Sequence, residues 1–284
     1  MIVDFRIIGT GERFFPGGYE GLPPFMARYK ELYDFHRLTE QPFDAFLEDM
    51  KQSGVTKAVL QAEYTYGDVE ALNRAVGETA AEHKETLVGF AGIDPLQSED
   101  PVRDLDRWLR RWDLKGLNLQ PWVQGLYPND RRYYPIYEYL QDRGLPVAIH
   151  ASINFSMHRS IEYGRPLFLD HIACDFPRLT IVANHGGWPW VAEMAAVAWK
   201  HRNIYVEIGG ISPKYIAKQG SGLEPLLAYA TVHQDQMLFA TDYTVPHARV
   251  VKEARELPLK NEIIEKLLCR NAARILGWQG DTPG

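Results

Sequence analysis

Short apolar runs alternate with longer amphipathic stretches nearly to the end of the chain. The runs occupy residues 2–8, 58–61, 87–93, 115–119, 147–149, 179–183, 204–208 and 236–240. Between and after them, apolar positions recur at helical spacing over 43–52, 69–83, 101–112, 134–143, 166–175, 190–199, 247–256 and 260–276. The strand-length runs are mostly continuous rather than alternating, as expected when both faces of a parallel sheet are buried. Eight strands, each followed by helix, predict an α/β fold: a (β/α)8 TIM barrel forming one domain over residues 1–284. Gly144 ends the helix at 134–143, because glycine tolerates the left-handed conformation just past a helix terminus. No glycine-rich phosphate loop follows the first strand, which argues against an open, doubly wound sheet. The connection after that strand, rich in Phe, Gly and Pro over 14–24, is too long for an ordinary turn and is expected to be functional or mobile.

Composition narrows the setting. The 284 residues are 45% hydrophobic and 24% charged, the balance of a soluble globular enzyme. A net charge of -6 repels phosphate backbones, so nucleic acid is not an expected partner. No run approaches the ~18 apolar residues of a membrane span. Met1 leads directly into the first strand without a basic n-region, so neither a signal peptide nor a membrane is expected, and the cytoplasm is the expected location. Cys174 and Cys269 are far apart, lack a CxxC spacing, and are expected to be small packing residues. Trp108 and Trp112, four apart on a helix, could bury against the barrel or against a second subunit of a homodimer.

In a barrel the chemistry sits where strands end. The polar residues there are Asp4 and Arg6 on strand one, then Glu63, Tyr64 and Tyr66, Asp94, Asn118 and Gln120. Strand five ends in His150, strand six in Asn184-His185-Gly186-Gly187-Trp188, and strand eight in Thr241-Asp242-Tyr243. Glu207 lies within strand seven, as packing or as a supporting partner. His150, His185 and Asp242 stand at corresponding positions. Two imidazoles and a carboxylate at one mouth can bind a divalent metal or relay protons. Tyr64, Trp122 and Trp188 are candidates to line a substrate pocket, and His247 follows Asp242 closely enough to belong to the set.

These segments resemble the amidohydrolase-related family that includes aminocarboxymuconate semialdehyde decarboxylase, resorcylate-type decarboxylases and pyrone dicarboxylate lactonases. The resemblance rests on Val147-Ala148-Ile149-His150, Asn184-His185-Gly186-Gly187, Phe239-Ala240-Thr241-Asp242-Tyr243 and the closing stretch 268–276. It implies a metal-dependent-hydrolase type of barrel with His150 as metal ligand, His185 as acid/base and Asp242 as metal ligand and proton acceptor. The family's first strand carries Asp-x-His-x-His, whereas this chain reads Asp4-Phe5-Arg6-Ile7-Ile8. Arginine cannot ligate a cation and isoleucine has no lone pair, so the usual four-ligand site is broken.

Two arrangements remain. Either no metal binds and Arg6 clamps a carboxylated substrate, or one zinc or manganese ion sits on His150, His185 and Asp242, helped by Glu63. Arg6 could also simply fill the vacated space in a salt bridge to Asp4 or Asp242. The leading expectation is hydrolysis of a lactone, amide or ester in a small, aromatic or carboxylated substrate, by His185, Asp242 and Arg6. Non-oxidative decarboxylation is the second reading, and an inactive barrel kept for binding is the third.

Overall fold

The computed structural model describes residues 1–63, 67–243 and 245–278. Eight parallel strands follow one another in order: β1 (Val3–Ile7), β2 (Lys57–Gln61), β3 (Leu87–Gly92), β4 (Leu117–Leu119), β5 (Val147–His150), β6 (Ile181–Asn184), β7 (Ile204–Glu207) and β8 (Met237–Leu238). The ring closes by backbone bonds of 2.9 Å, from Phe5 N–H to the Phe239 carbonyl and from Asp242 N–H to the Arg6 carbonyl. The TIM barrel expected from the run pattern is the observed fold. The last strand is shorter than its apolar run, because Phe239 N–H turns to the Leu267 carbonyl of the closing helical segment. Among the described residues no helix is long and apolar enough to cross a membrane.

The barrel interior has two storeys. Val3, Phe5, Val59, Phe90, Ala148, Val182 and Leu238 form an apolar lower layer, plugged by Cys269 and Ala272 from the closing helical segment. Strand side chains alternate with period two, so Gln61, His150 and Asn184 stand directly above Val59, Ala148 and Val182. Asn118, Glu207 and Asp242 complete this buried polar layer with Arg6. Arg6 reaches it through an irregularity in β1. Asp4 pairs with Ala58 but Ile7 with Leu60, so β1 holds one residue more than β2 over this stretch. Such a bulge re-aims side chains. Here it lets Phe5 pack against Phe90 below, with ring centroids 5.8 Å apart, while Arg6 points into the layer above.

The long β1 connection is a folded cover rather than a loose loop. It contains the helices Ala27–Leu32 and Phe35–Glu40, and it brings Tyr29, Tyr33 and Phe35 over the carboxyl ends of the strands. Tyr29 stacks on Trp122 and accepts a hydrogen bond from Phe155 N–H at 3.1 Å. Arg37 fastens the cover from outside, donating to the Tyr243 carbonyl at 2.7 Å. Trp108 is buried on the barrel, and Trp112 packs so closely on Gly77 that an added Cβ would come within 2.3 Å. Cys269 is the expected buried packing residue, whereas Cys174 is exposed.

Below the mouth, His247 joins three elements. Its Nε2 lies 3.1 Å from Asp4 and its Nδ1 2.9 Å from Asp49, a residue of the helix Phe43–Gln52. Burial opposes its charge, but the two carboxylates outweigh that and raise its pKa to about 9. The folded value exceeds the unfolded one, so this stabilisation is complete below about pH 6.5 and is lost as pH rises through about 9. His247→Gln should therefore destabilise the protein at about pH 6, with the penalty shrinking by on the order of 3 kcal/mol by about pH 10. Urea unfolding of both proteins across that range tests it, and a gap that stays constant would show that His247 is not a charged clip.

Candidate active site

Arg6 is the centre of the polar layer and has no exposed surface. Its Nε donates to Asp242 Oδ1 at 2.9 Å, its Nη1 to Gln61 at 2.7 Å and Asn118 at 3.2 Å, and its Nη2 to Glu63. Burial works against the charged guanidinium, yet Glu63, Asp242 and Glu207 raise its pKa, so it is a permanent cation. The carboxylates fare differently. Burial pushes Glu207 up to about 8, although Arg6 and two backbone N–H groups oppose this. It likewise raises Glu63 and Asp242 against the pull of Arg6. One cation cannot neutralise three buried carboxylates, so the layer retains protons near neutral pH. Asp242 is the most accessible of the three, with a side chain 17% exposed.

His185 and Asp242 both sit in left-handed backbone, with φ of 67° and 58°. Such conformations cost roughly 1–3 kcal/mol each outside glycine, and the surroundings must hold them. Glu207 secures the first, accepting from His185 N–H at 2.8 Å and from Gly209 N–H at 2.7 Å. The second is organised by Thr241, whose N–H and hydroxyl donate to Asp4 and whose hydroxyl oxygen accepts from Tyr243 N–H. Gly210, at φ 72°, lies between the two residues. A Cβ there would stand 3.3 Å from both Asp242 Oδ2 and His185 Nδ1.

Both imidazoles are neutral. Burial, reinforced by Arg6, lowers the His185 pKa to about 3. Burial, the neighbouring His185 and Arg6 hold His150 well below the usual histidine range. His185 Nδ1 donates to the Gly209 carbonyl at 2.9 Å, which leaves Nε2 as a lone pair. His150 Nε2 faces the carbonyls of Ser152 and Ile153 at 3.0 and 3.2 Å, so its Nδ1 carries the lone pair, buried without a partner.

His150, His185, Asp242 and Trp188 line one cavity of about 360 Å³ at the mouth, walled by Tyr29, Tyr33, Phe35, Phe155 and Tyr215. Its size suits a small molecule. A larger space of about 580 Å³ lies beside Glu63 and the helix Val69–Glu82, but no imidazole is among the described residues that line it, whereas His150, His185 and Asp242 all meet at the smaller one. Trp122 does not line the cavity; it is buried behind it, packed on Tyr29 and His150. Arg6 is outside the lining too. It cannot clamp a substrate, because its donors are committed to Asp242, Gln61, Asn118 and Glu63. Its ion pairs run to Asp242 and Glu63 rather than to the Asp4 side chain, which accepts only its backbone N–H. Tyr64 and Tyr66 lie outside the described residues. Gln61 was not among the strand-end candidates, because it stands inside an apolar run and only the barrel geometry reveals its place beneath Arg6.

The residues do not fit the divalent ion that the family resemblance implies. Asp242 Oδ1 and Glu63 are engaged by a guanidinium whose charge opposes a second cation. His150, His185 and Asp242 do not bring three ligand atoms within 4.8 Å of one another.

The amidohydrolase family matches residues 24–278, and the chain belongs to it. No curated protein matches the chain. Among solved structures it is similar to an uncharacterised TIM-barrel protein from Bordetella bronchiseptica, with 24% identity, a TM-score of 0.75 and coverage of 97% of this chain and 98% of the other. A 5-carboxyvanillate decarboxylase from Sphingomonas paucimobilis is 19% identical, with a TM-score of 0.72 over 97% and 98% of the two chains. A 2,6-dihydroxybenzoate decarboxylase from Rhizobium is 16% identical, with a TM-score of 0.71 over 98% and 99%. At these identities the likeness concerns the fold.

Replacing Arg6 by Met should cost about 3–5 kcal/mol at neutral pH, since it strands buried carboxylates without their cation. The loss should be smaller near about pH 5, where protonation removes the uncompensated charge. Denaturant midpoints at the two pH values test this, and an equal loss at both would contradict a charge-based role.

Proposed function

We propose that this member of the amidohydrolase family is an enzyme, a non-oxidative decarboxylase of a small, electron-rich aromatic carboxylic acid, working by proton transfer from Asp242. The observation that carries the reading is Asp242 itself. It is an accessible carboxyl with a raised pKa, anchored through Oδ1 by Arg6, in an aromatic-walled cavity beside a neutral imidazole. Decarboxylation of an electron-rich ring asks for such a group: an acid that protonates the carbon bearing the carboxylate.

His185 Nε2 accepts a hydrogen bond from a ring hydroxyl, which orients the ring and raises its electron density. Protonated Asp242 delivers its proton to the carboxylate-bearing carbon. The carbon–carbon bond then breaks, its electron pair returns to the ring, and carbon dioxide leaves. The hydroxyl keeps its proton throughout, and solvent reprotonates Asp242. No Lys or Arg is among the described residues lining the cavity. An apolar wall that leaves a carboxylate poorly solvated favours a transition state in which its charge disperses into the ring.

The likeness to solved decarboxylases supports the same direction. Hydrolysis has less support. It needs an electrophile or a donor pair for an oxyanion at the reacting carbonyl, and the guanidinium sequestered under Asp242 supplies neither. An inactive binding barrel is disfavoured by the strained backbone at His185 and Asp242, which a mere scaffold has no need to maintain.

Incubation with a panel of hydroxy- and methoxybenzoic acids should release carbon dioxide, and in deuterated water the product should carry one deuterium at the vacated carbon. Asp242→Asn should lower kcat about 10²–10⁴-fold. Because the acid must be protonated and its pKa is raised, kcat/KM should fall on the alkaline side rather than the acidic side. Turnover of lactones or esters with no carbon dioxide from any acid would sink the proposal.

A further inference from the structure

The helices Leu167–Asp175 and Val191–Lys200 flank β6, one leading into it and the other leaving the His185 turn. Asp170 and Cys174 are four residues apart on the first helix and therefore share a face. His201 directly follows the second helix, and its Nε2 lies 2.6 Å from Asp170 Oδ1. Lys200 Nζ reaches the same oxygen at 2.6 Å and lies 3.8 Å from Cys174 Sγ. Ligand atoms of Asp170, Cys174 and His201 all lie within 4.8 Å of one another, the one such set among the described residues. The Asp170 and His201 side chains are only 19% and 12% exposed, so both are held in place, while Cys174 is open to solvent.

A carboxylate, a thiolate and an imidazole at one point are the donor set of zinc. Magnesium and calcium prefer oxygen alone. We propose that Asp170, Cys174 and His201 form a peripheral binding site for a zinc-class divalent ion, separate from the barrel mouth. Lys200 is the cation that occupies it when no metal is bound. Loading is an exchange. The metal takes an oxygen of Asp170, Nε2 of His201 and the sulfur of Cys174, the thiol proton passes to the buffer, and the ammonium of Lys200 swings into solvent. Lys200 is 56% exposed and free to make that move. Three protein ligands leave a fourth position for water. The ion would join the helix before β6 to the helix after it and so brace the unit that carries His185. The sequence spacing concealed this set, because Cys174 and His201 meet only when the two helices pack side by side.

The test uses tag-free, chelator-stripped protein and cobalt(II) as the spectroscopic substitute for zinc. One equivalent should produce thiolate-to-cobalt charge-transfer absorption, and zinc should displace it. Cys174→Ser should abolish the band, and His201→Gln should weaken cobalt binding by about tenfold or more. Lys200→Met should tighten it severalfold, because the competing ammonium is gone. Circular dichroism of the metal-free variants checks their folding. The proposal is overturned if one equivalent gives no thiolate band, if the band survives His201→Gln at unchanged affinity, or if Lys200→Met leaves affinity unaltered.

Discussion

A guanidinium sealed inside the barrel, where it can neither lose its proton nor reach water, constrains everything around it. Left alone, a buried charge of this kind would cost several kcal/mol. Strands β2, β4 and β8 and the residues that follow them therefore supply Gln61, Glu63, Asn118 and Asp242, and the four together fix where the guanidinium lies. The compensation overshoots. With Glu207 also in its field, Arg6 faces three carboxylates, and burial together with the excess negative charge keeps protons in a layer that has little access to solvent. The same positive charge helps keep His150 and His185 neutral. Burial and one cation on the first strand together thus set the protonation of the mouth.

The placement of His185 and Asp242 follows from a second constraint, the backbone. His185 and Asp242 turn sharply away from their strands in conformations that side-chain-bearing residues avoid. Each is held by hydrogen bonds to a carboxylate that never reaches the cavity: Glu207 for the first, Asp4 by way of Thr241 for the second. His247 in turn secures Asp4. Asp242, His185 and their supports form one connected structure whose outer members set the aim of the inner ones.

Much of this was legible in the sequence, and the limits have physical causes. The eight strands could be read because burial on both faces makes them continuous apolar runs. His150, His185 and Asp242 could be grouped because parallel strands deliver their ends to one mouth. The environment of Arg6 was less visible. Its place on strand one pointed to the vacated metal position, but its partners come from β2, β4 and β8, and only their packing shows that nothing remains free to clamp a substrate. Trp122 follows β4 as expected, yet the cover formed by the β1 connection buries it behind the cavity. Contacts between distant segments, such as His247 with Asp49 or Cys174 beside Lys200, have no local signature.

The extra residue in β1 has a consequence for how such a barrel can evolve. Its effect lies in chain length, not in the identity of any side chain. Losing Phe5 alone would leave the strand recognisable, but it would drop the arginine by one level, into the apolar layer that Phe5 fills. Composition and hydrophobic pattern would scarcely register the change. Two relatives could therefore share every mouth residue and differ in chemistry through one gap in an alignment of their first strands.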